Sequence, residues 1–130
     1  MTDEELLSQA AEAAEGSYSP YSHFRVGAAI VTGDGTIVTG ANVENAAFGA
    51  SICAEANAIS SAIADGASEI STVAVVCLDG DLCTPCGNCR QIMREFGVEK
   101  VILRTADGTA HPVTLESLLP MSFGPEALES

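Results

Sequence analysis

The 130-residue sequence predicts an α/β fold, a three-layer α-β-α domain with a central mixed five-stranded sheet, and three observations predict it. Residues 71–78 form a continuous apolar run centred on Thr72-Val73-Ala74-Val75-Val76-Cys77, the pattern of a strand buried on both faces. Helix-like and strand-like segments follow one another as α-β-β-α-β-α-β, with a weak strand and a short helix appended. Strands joined through helices imply parallel neighbours, whereas the tight first pair implies an antiparallel hairpin, so the sheet is mixed. Hydrophobic residues make up 47% of the chain, enough for a core, and the length fits one domain spanning 1–130.

The first helix is expected to be capped by Asp3 and to turn Leu6, Leu7, Ala10, Ala11 and Ala14 to one face before Gly16 ends it. The stretch Ser17-Tyr18-Ser19-Pro20-Tyr21-Ser22-His23 is polar and broken by proline, hence a loop. Residues 24–31 read as a strand, Gly33-Asp34-Gly35 as a hairpin turn and 36–40 as the return strand. A loop with glycine- and asparagine-marked bends covers 42–51. The second helix, rich in alanine and isoleucine, begins near Cys53 and ends at Gly66. After the 71–78 strand comes a loop over 79–85, then a third helix from about Cys86 to Phe96, stopped by Gly97. Residues 101–104 are a strand, Asp107-Gly108 a turn, and a short last strand lies near Val113. Thr114 caps a helix over 115–119 that Pro120 ends. In this order the loops before the second and third helices converge at one end of the sheet.

Five basic side chains against 18 acidic ones give a net charge of −13. A surface this negative repels phosphate backbones and anionic lipid, which argues against nucleic-acid and membrane partners. No run approaches the ~20 apolar residues of a membrane span. The start Met1-Thr2-Asp3-Glu4-Glu5 has neither the basic nor the apolar region of a secretory signal, so a cytoplasmic protein is expected. Cysteines number five, and Cys83, Cys86 and Cys89 are too close together for an ordinary disulfide framework. Metal-binding thiols in a reducing compartment fit better. The acid excess reads either as a soluble acidic enzyme or as adaptation to high salt, where screening relieves self-repulsion.

The chemistry sits in two segments, Cys53-Ala54-Glu55 and Pro85-Cys86-Gly87-Asn88-Cys89-Arg90. Cys86 and Cys89 share one side of a helix's first turn, where the partial positive charge of the helix start favours thiolates. Cys53 from the neighbouring helix start makes a third soft ligand. Three ligands leave the fourth tetrahedral position open, the pattern of a catalytic zinc. Glu55 is the acid/base beside it. Residues i and i+2 of a helix point about 200° apart, so Cys53 and Glu55 both reach a metal only if Cys53 sits at or before the first helical residue.

These two segments resemble the zinc-dependent nucleoside deaminases, and within them the small cytidine deaminases. The likeness extends to Tyr18-Ser19-Pro20-Tyr21-Ser22-His23-Phe24-Arg25-Val26-Gly27-Ala28-Ala29, to Asn42-Val43-Glu44-Asn45, and to Leu118-Leu119-Pro120 with Phe123-Gly124. The resemblance implies a cytidine deaminase-like fold with one Zn2+ per chain on Cys53, Cys86 and Cys89. It implies activated water attacking C4 of a pyrimidine nucleoside while Glu55 moves protons to N3 and the departing amine. It places Phe24 and Ala54 against the substrate and Asn42 and Glu44 on the ribose hydroxyls. It further implies a homotetramer with active sites at subunit interfaces, where Phe123 closes a neighbour's pocket. Arg90, directly after Cys89, is expected to support the thiolates.

The chain departs from that pattern at Ala56, where relatives often carry an Arg bonded to the thiolates, at Ala41, often Cys, and at Phe48, often Tyr. Three alternatives stay open on the sequence. The substrate could be a modified cytidine or a blasticidin-type nucleoside antibiotic. Cys83 could close the site as a fourth structural zinc ligand, in a non-catalytic interaction domain, or the four cysteines could hold an iron–sulfur cluster. Cys77 reads as a buried small hydrophobe, His23 and His111 as surface, and Tyr18 and Tyr21 as packing beside the site.

Overall fold

Thr2, not Asp3, caps the first helix: its hydroxyl accepts from the Glu5 N–H at 3.1 Å. Asp3 is instead the first residue of α1 (Asp3–Ala14) and pairs with Lys100 Nζ at 2.7 Å. The structure, a computed structural model, describes residues 1–80 and 82–128; Asp81, inside the loop expected over 79–85, and residues 129–130 lie outside the described residues. Along the chain follow β1 (Val26–Thr32), β2 (Ile37–Ala41), α2 (Ala54–Ala64), β3 (Ile70–Cys77) and α3 (Gly87–Glu95). The chain then adds β4 (Lys100–Arg104), β5 (Ala110–Thr114) and α4 (Leu115–Leu118). Thr114 caps α4 as expected, its hydroxyl accepting from the Ser117 N–H.

The five strands form one mixed sheet in the order β2-β1-β3-β4-β5. β3 and β4, joined through α3, are parallel neighbours as the sequence implies. β2 and β3, joined through α2, are not neighbours: β1 lies between them, antiparallel to both. Burial explains the correction. β1 is apolar on both faces and nearly all buried, so it takes an interior place, whereas no residue of β2 is fully buried and it suits an edge. The expected strand start at Phe24 also moves, to Val26. Phe24 cannot join the ladder because its N–H goes to Ser22 Oγ and its carbonyl to Asn42 Nδ2.

Period-two alternation divides the core between the two faces. Ala28, Ile30, Val73, Val75, Val101 and Leu103 pack with α2 and α3. Ala29, Ala74, Val76 and Ile102 pack with Leu6, Leu7 and Ala10 of α1. Two glycines let helices sit close on the sheet. A Cβ on Gly27 would meet Ala10 O and Ala14 N of α1, and one on Gly40 would meet Ala58 N of α2 at 2.7 Å.

β2 and β3 run the same way, so the helices that follow them start at the same end of the sheet. β1 runs oppositely and therefore begins there, with Val26 opposite Cys77 and Gly27 opposite Ala41. The segments 17–25 and 42–53 and the described residues of 78–86 thus meet at one end. A bridge from Tyr18 to Val43 clasps the first two together, and one from Val43 to Ile52 closes the second on itself.

Candidate active site

Cys53 is the residue immediately before α2, with extended backbone (φ −70°, ψ 154°), the placement that lets it and Glu55 face one point. Cys86 stands in the same relation to α3 (φ −68°, ψ 167°), and Cys89 lies in that helix's first turn. The sulfurs of Cys53, Cys86 and Cys89 all lie within 4.8 Å of one another, and Cys53 Sγ is 3.8 Å from Cys86 Sγ. A tetrahedral zinc with Zn–S bonds of about 2.3 Å needs sulfurs about 3.8 Å apart, so this donor set fits zinc. Cys83, which could have closed the site, is not in that group. Burial, with the nearby charges of Glu55, Cys77 and Cys53, pushes its thiol up to about 12, so it stays protonated at neutral pH.

The three ligand thiols differ. Burial raises Cys53 and Cys89. Burial also works on Cys86, but the Cys89 and Asn88 backbone N–H groups and the two neighbouring thiols hold it below the ordinary thiol value. Glu55 is only 4% exposed, and burial pushes its carboxyl up against the opposing pull of its own backbone N–H and the Cys89 thiol.

A cavity of about 420 Å³ adjoins the cluster, lined by Tyr21, Ser22, Asn42, Glu44, Phe48, Ser51, Ile52 and Cys53. It brings together Asn42, Glu44 and Cys53 of the expected site residues. Glu44 is gripped by the preceding loop. Its Oε1 accepts from the Tyr21 N–H at 3.0 Å and the Ser22 N–H at 3.1 Å, and its Oε2 from the Ser22 hydroxyl. The Ser22 hydroxyl is the leading cause that holds its carboxyl below the usual range. Asn42 Oδ1 accepts from Ser17 Oγ at 2.6 Å and Val26 N at 2.9 Å, and Nδ2 donates to Phe24 O, leaving one N–H for a ligand.

The remaining expected residues lie off that lining. Phe24 packs on Gly80, where a Cβ would stand 3.2 Å from its ring. Ala54 is buried at the head of α2. Phe123 is 61% exposed on the segment after α4, its carbonyl held by Gln91 Nε2 at 2.8 Å. Arg90, expected to support the thiolates, donates from Nε to Pro85 O at 2.8 Å and from Nη1 to Leu118 O at 2.7 Å. Its hydrogen bonds thus join the backbone just before Cys86 to the end of α4. Ser22 is a residue the sequence reading missed; nothing in its composition distinguished it from other loop serines. Cys77 is buried, and His23 and His111 are exposed, as expected.

Two helix starts that pool three thiols and keep a carboxyl buried beside them define a zinc-dependent deaminase class of site. Residues 1–105 match the family model of the cytidine and deoxycytidylate deaminase zinc-binding region, and the chain belongs to that family. It is 41% identical over 123 residues to the cytidine deaminase of Halalkalibacterium halodurans, covering 93% of each chain. The crystal structure of cytidine deaminase from Burkholderia pseudomallei superposes with a TM-score of 0.87 at 42% identity, over 95% of this chain and all (100%) of that one. That from Mycobacterium tuberculosis gives a TM-score of 0.81 at 38% identity, over 92% of this chain and 95% of the other.

Proposed function

We propose that the protein hydrolytically deaminates cytidine and 2′-deoxycytidine to uridine and 2′-deoxyuridine plus ammonia, in pyrimidine salvage. The observation that carries this reading is Glu55, a buried carboxyl two residues after a ligand thiol, beside a three-sulfur cluster at a nucleoside-sized cavity. A structural zinc needs a fourth ligand and has no use for that carboxyl. The polar wall of Asn42 and Glu44 suits an ordinary ribose, which favours plain nucleosides over modified ones.

Cys53, Cys86 and Cys89 would hold one zinc per chain. A zinc ion bound there would supply a Lewis acid that lowers the pKa of water toward neutrality. Glu55 takes a proton from the attacking water and delivers it to N3 as the C4–O bond forms. It then takes the remaining proton of the C4 hydroxyl and passes it to the amino nitrogen, so the C4–N bond breaks, the C4 carbonyl forms and ammonia leaves. Its burial favours the protonated form it needs midway. Glu44 and the free Asn42 N–H bind the sugar hydroxyls, Phe24 and the Ala54 backbone border the base, and Arg90 holds the ligand loop.

The working form is a homotetramer whose subunits complete one another's sites. Phe48, 75% exposed at the cavity, Phe123 and Met121, 94% exposed, are apolar surface that a second copy would cover. No helix among the described residues is long and apolar enough to cross a membrane, and all five cysteines are free, which suits a reducing cytoplasm. The test mixes purified protein with cytidine, 2′-deoxycytidine and cytosine, follows ultraviolet absorbance, and measures zinc in the same sample. Turnover of the nucleosides at about one zinc per chain is expected; a zinc-loaded protein that leaves both nucleosides intact overturns the reading.

A further inference from the structure

The Ser22 hydroxyl occupies a junction. It donates to Glu44 Oε2 and accepts from the Phe24 N–H at 3.0 Å, while the Ser22 backbone N–H donates to Glu44 Oε1. One residue thus meets both carboxylate oxygens and also ties them to the chain entering β1. The turn that makes this possible is unusual. His23, between Ser22 and Phe24, has φ 60°, in the left-handed region that side chains other than glycine rarely enter, and its N–H donates to Ser19 O at 3.0 Å. The reversal points the Ser22 hydroxyl and two successive N–H groups inward at one carboxylate.

A Glu side chain has three rotatable bonds and loses substantial freedom when fixed. Glu44 is fixed before any ligand arrives, by three neutral donors, and the oxygen that takes only the hydroxyl keeps lone-pair capacity for a further donor. Backbone N–H groups would survive any substitution at position 22 other than proline. The hydroxyl is the one contact in the cradle that depends on a side chain.

We propose that Ser22 is a positioning residue for sugar recognition: its hydroxyl locks Glu44 in the orientation that accepts a ribose hydroxyl and couples that carboxylate to the Phe24 backbone. The inference rests on the reading of Glu44 as a sugar contact. Pre-orientation acts on binding, so its loss appears in KM and not in the proton transfers at the base.

Steady-state kinetics with cytidine on the zinc-loaded protein test it. Ser22→Ala should raise KM about tenfold with the loss carried by KM rather than kcat. Ser22→Thr, which keeps the hydroxyl, should restore most of the affinity. In a Glu44→Ala background, where KM is already raised, Ser22→Ala should add little, because the partner it positions is gone. Equal KM for Ser22→Ala and wild type overturns the proposal, as does a full additional increase in the Glu44→Ala background. If Glu44→Ala itself leaves KM unchanged, the sugar reading of Glu44 fails, a result distinct from either.

Discussion

The thiol cluster and the Glu44 cradle border one cavity but are built by opposite means. The cluster hangs on the starts of two helices that a mixed sheet brings to the same end, so its geometry is inherited from α2, α3 and the core beneath them. The cradle is made in a loop by two backbone N–H groups, one hydroxyl and a left-handed His23. Chemistry that must hold a charged metal has the rigid frame. On the proposed reading, sugar recognition takes a loop that its own hydrogen bonds hold in place. The difference teaches where substitutions should act: on turnover and metal at the first region, on KM at the second.

The largest effect tests the first region. Glu55→Gln should keep about one zinc per chain and lose turnover by roughly 10²–10⁴-fold, since the ligands stay while the proton carrier goes. Near wild-type turnover in that variant would sink the mechanism. Cys83→Ser belongs in the same experiment and should retain zinc, because its sulfur lies outside the ligand group.

This contrast also decided what could be read in advance. The Cys53-Ala54-Glu55 and Cys86 to Cys89 spacings are short-range, and helix geometry alone required Cys53 to precede α2, as it does. The five strands, α4 and its Thr114 cap are local patterns too, and the structure has them. Apart from the α1 cap, which moves locally from Asp3 to Thr2, what escaped depends on partners far along the chain. The Glu44 cradle joins residues 22 apart, and Arg90 reaches Leu118, 28 residues on. The place of β1 between β2 and β3 follows from burial relative to other strands, which no single segment displays.

The next effect tests the second region. Glu44→Ala should raise KM for cytidine about tenfold, at little cost to kcat. Its neutral donors, the Ser22 hydroxyl first, lower its carboxyl from the ordinary value, so the ionised form persists through the usual carboxylate range. The sign follows: the hydrogen bonds that hold it are intact above that range and are lost as pH falls through the depressed value. KM should therefore be flat down to about pH 5 and climb only below it. A rise in KM beginning near neutrality would mean that another group controls binding.

Arg90 lies under the first region, and its loss acts on metal retention and only indirectly on turnover. Its two carbonyl partners make it a brace between the Cys86 loop and the end of α4. Arg90→Ala should speed zinc loss to a chelator about tenfold, in the range of losses seen when groups behind metal ligands are removed. A brace and a counter-charge give different rescues. An ammonium at position 90 lacks the planar fork, so Arg90→Lys should restore little, and Ala56→Arg added to Arg90→Ala should not compensate. Full rescue by either would assign Arg90 to the thiolate charge.

The smallest effect separates both regions from the surface. Among the described residues, ion pairs reach only Asp3, Glu15, Asp79 and Glu126, through Lys100, Arg25 and Arg94. Arg104 donates to the Cys77 carbonyl and Arg90 to its two carbonyls, so most of a net charge of −13 has no nearby cation. Repulsion among exposed carboxylates is screened as the Debye length falls from about 10 Å at 0.1 M salt to about 3 Å at 1 M. Melting temperature should then rise by on the order of 4 °C between those concentrations of potassium chloride, the size of a roughly 1 kcal/mol gain. The pairs on Arg25 and Arg94 weaken under the same screening, but exposed pairs contribute little to begin with. Glu44 is held chiefly by N–H and O–H donors, with the neighbouring His23 the last of the causes that lower its carboxyl, so KM for cytidine should stay nearly level while stability climbs. A flat or falling melting temperature would leave the acid excess as a matter of solubility alone. A KM that moved with salt would show that the cradle senses the surface field, which its neutral construction argues against.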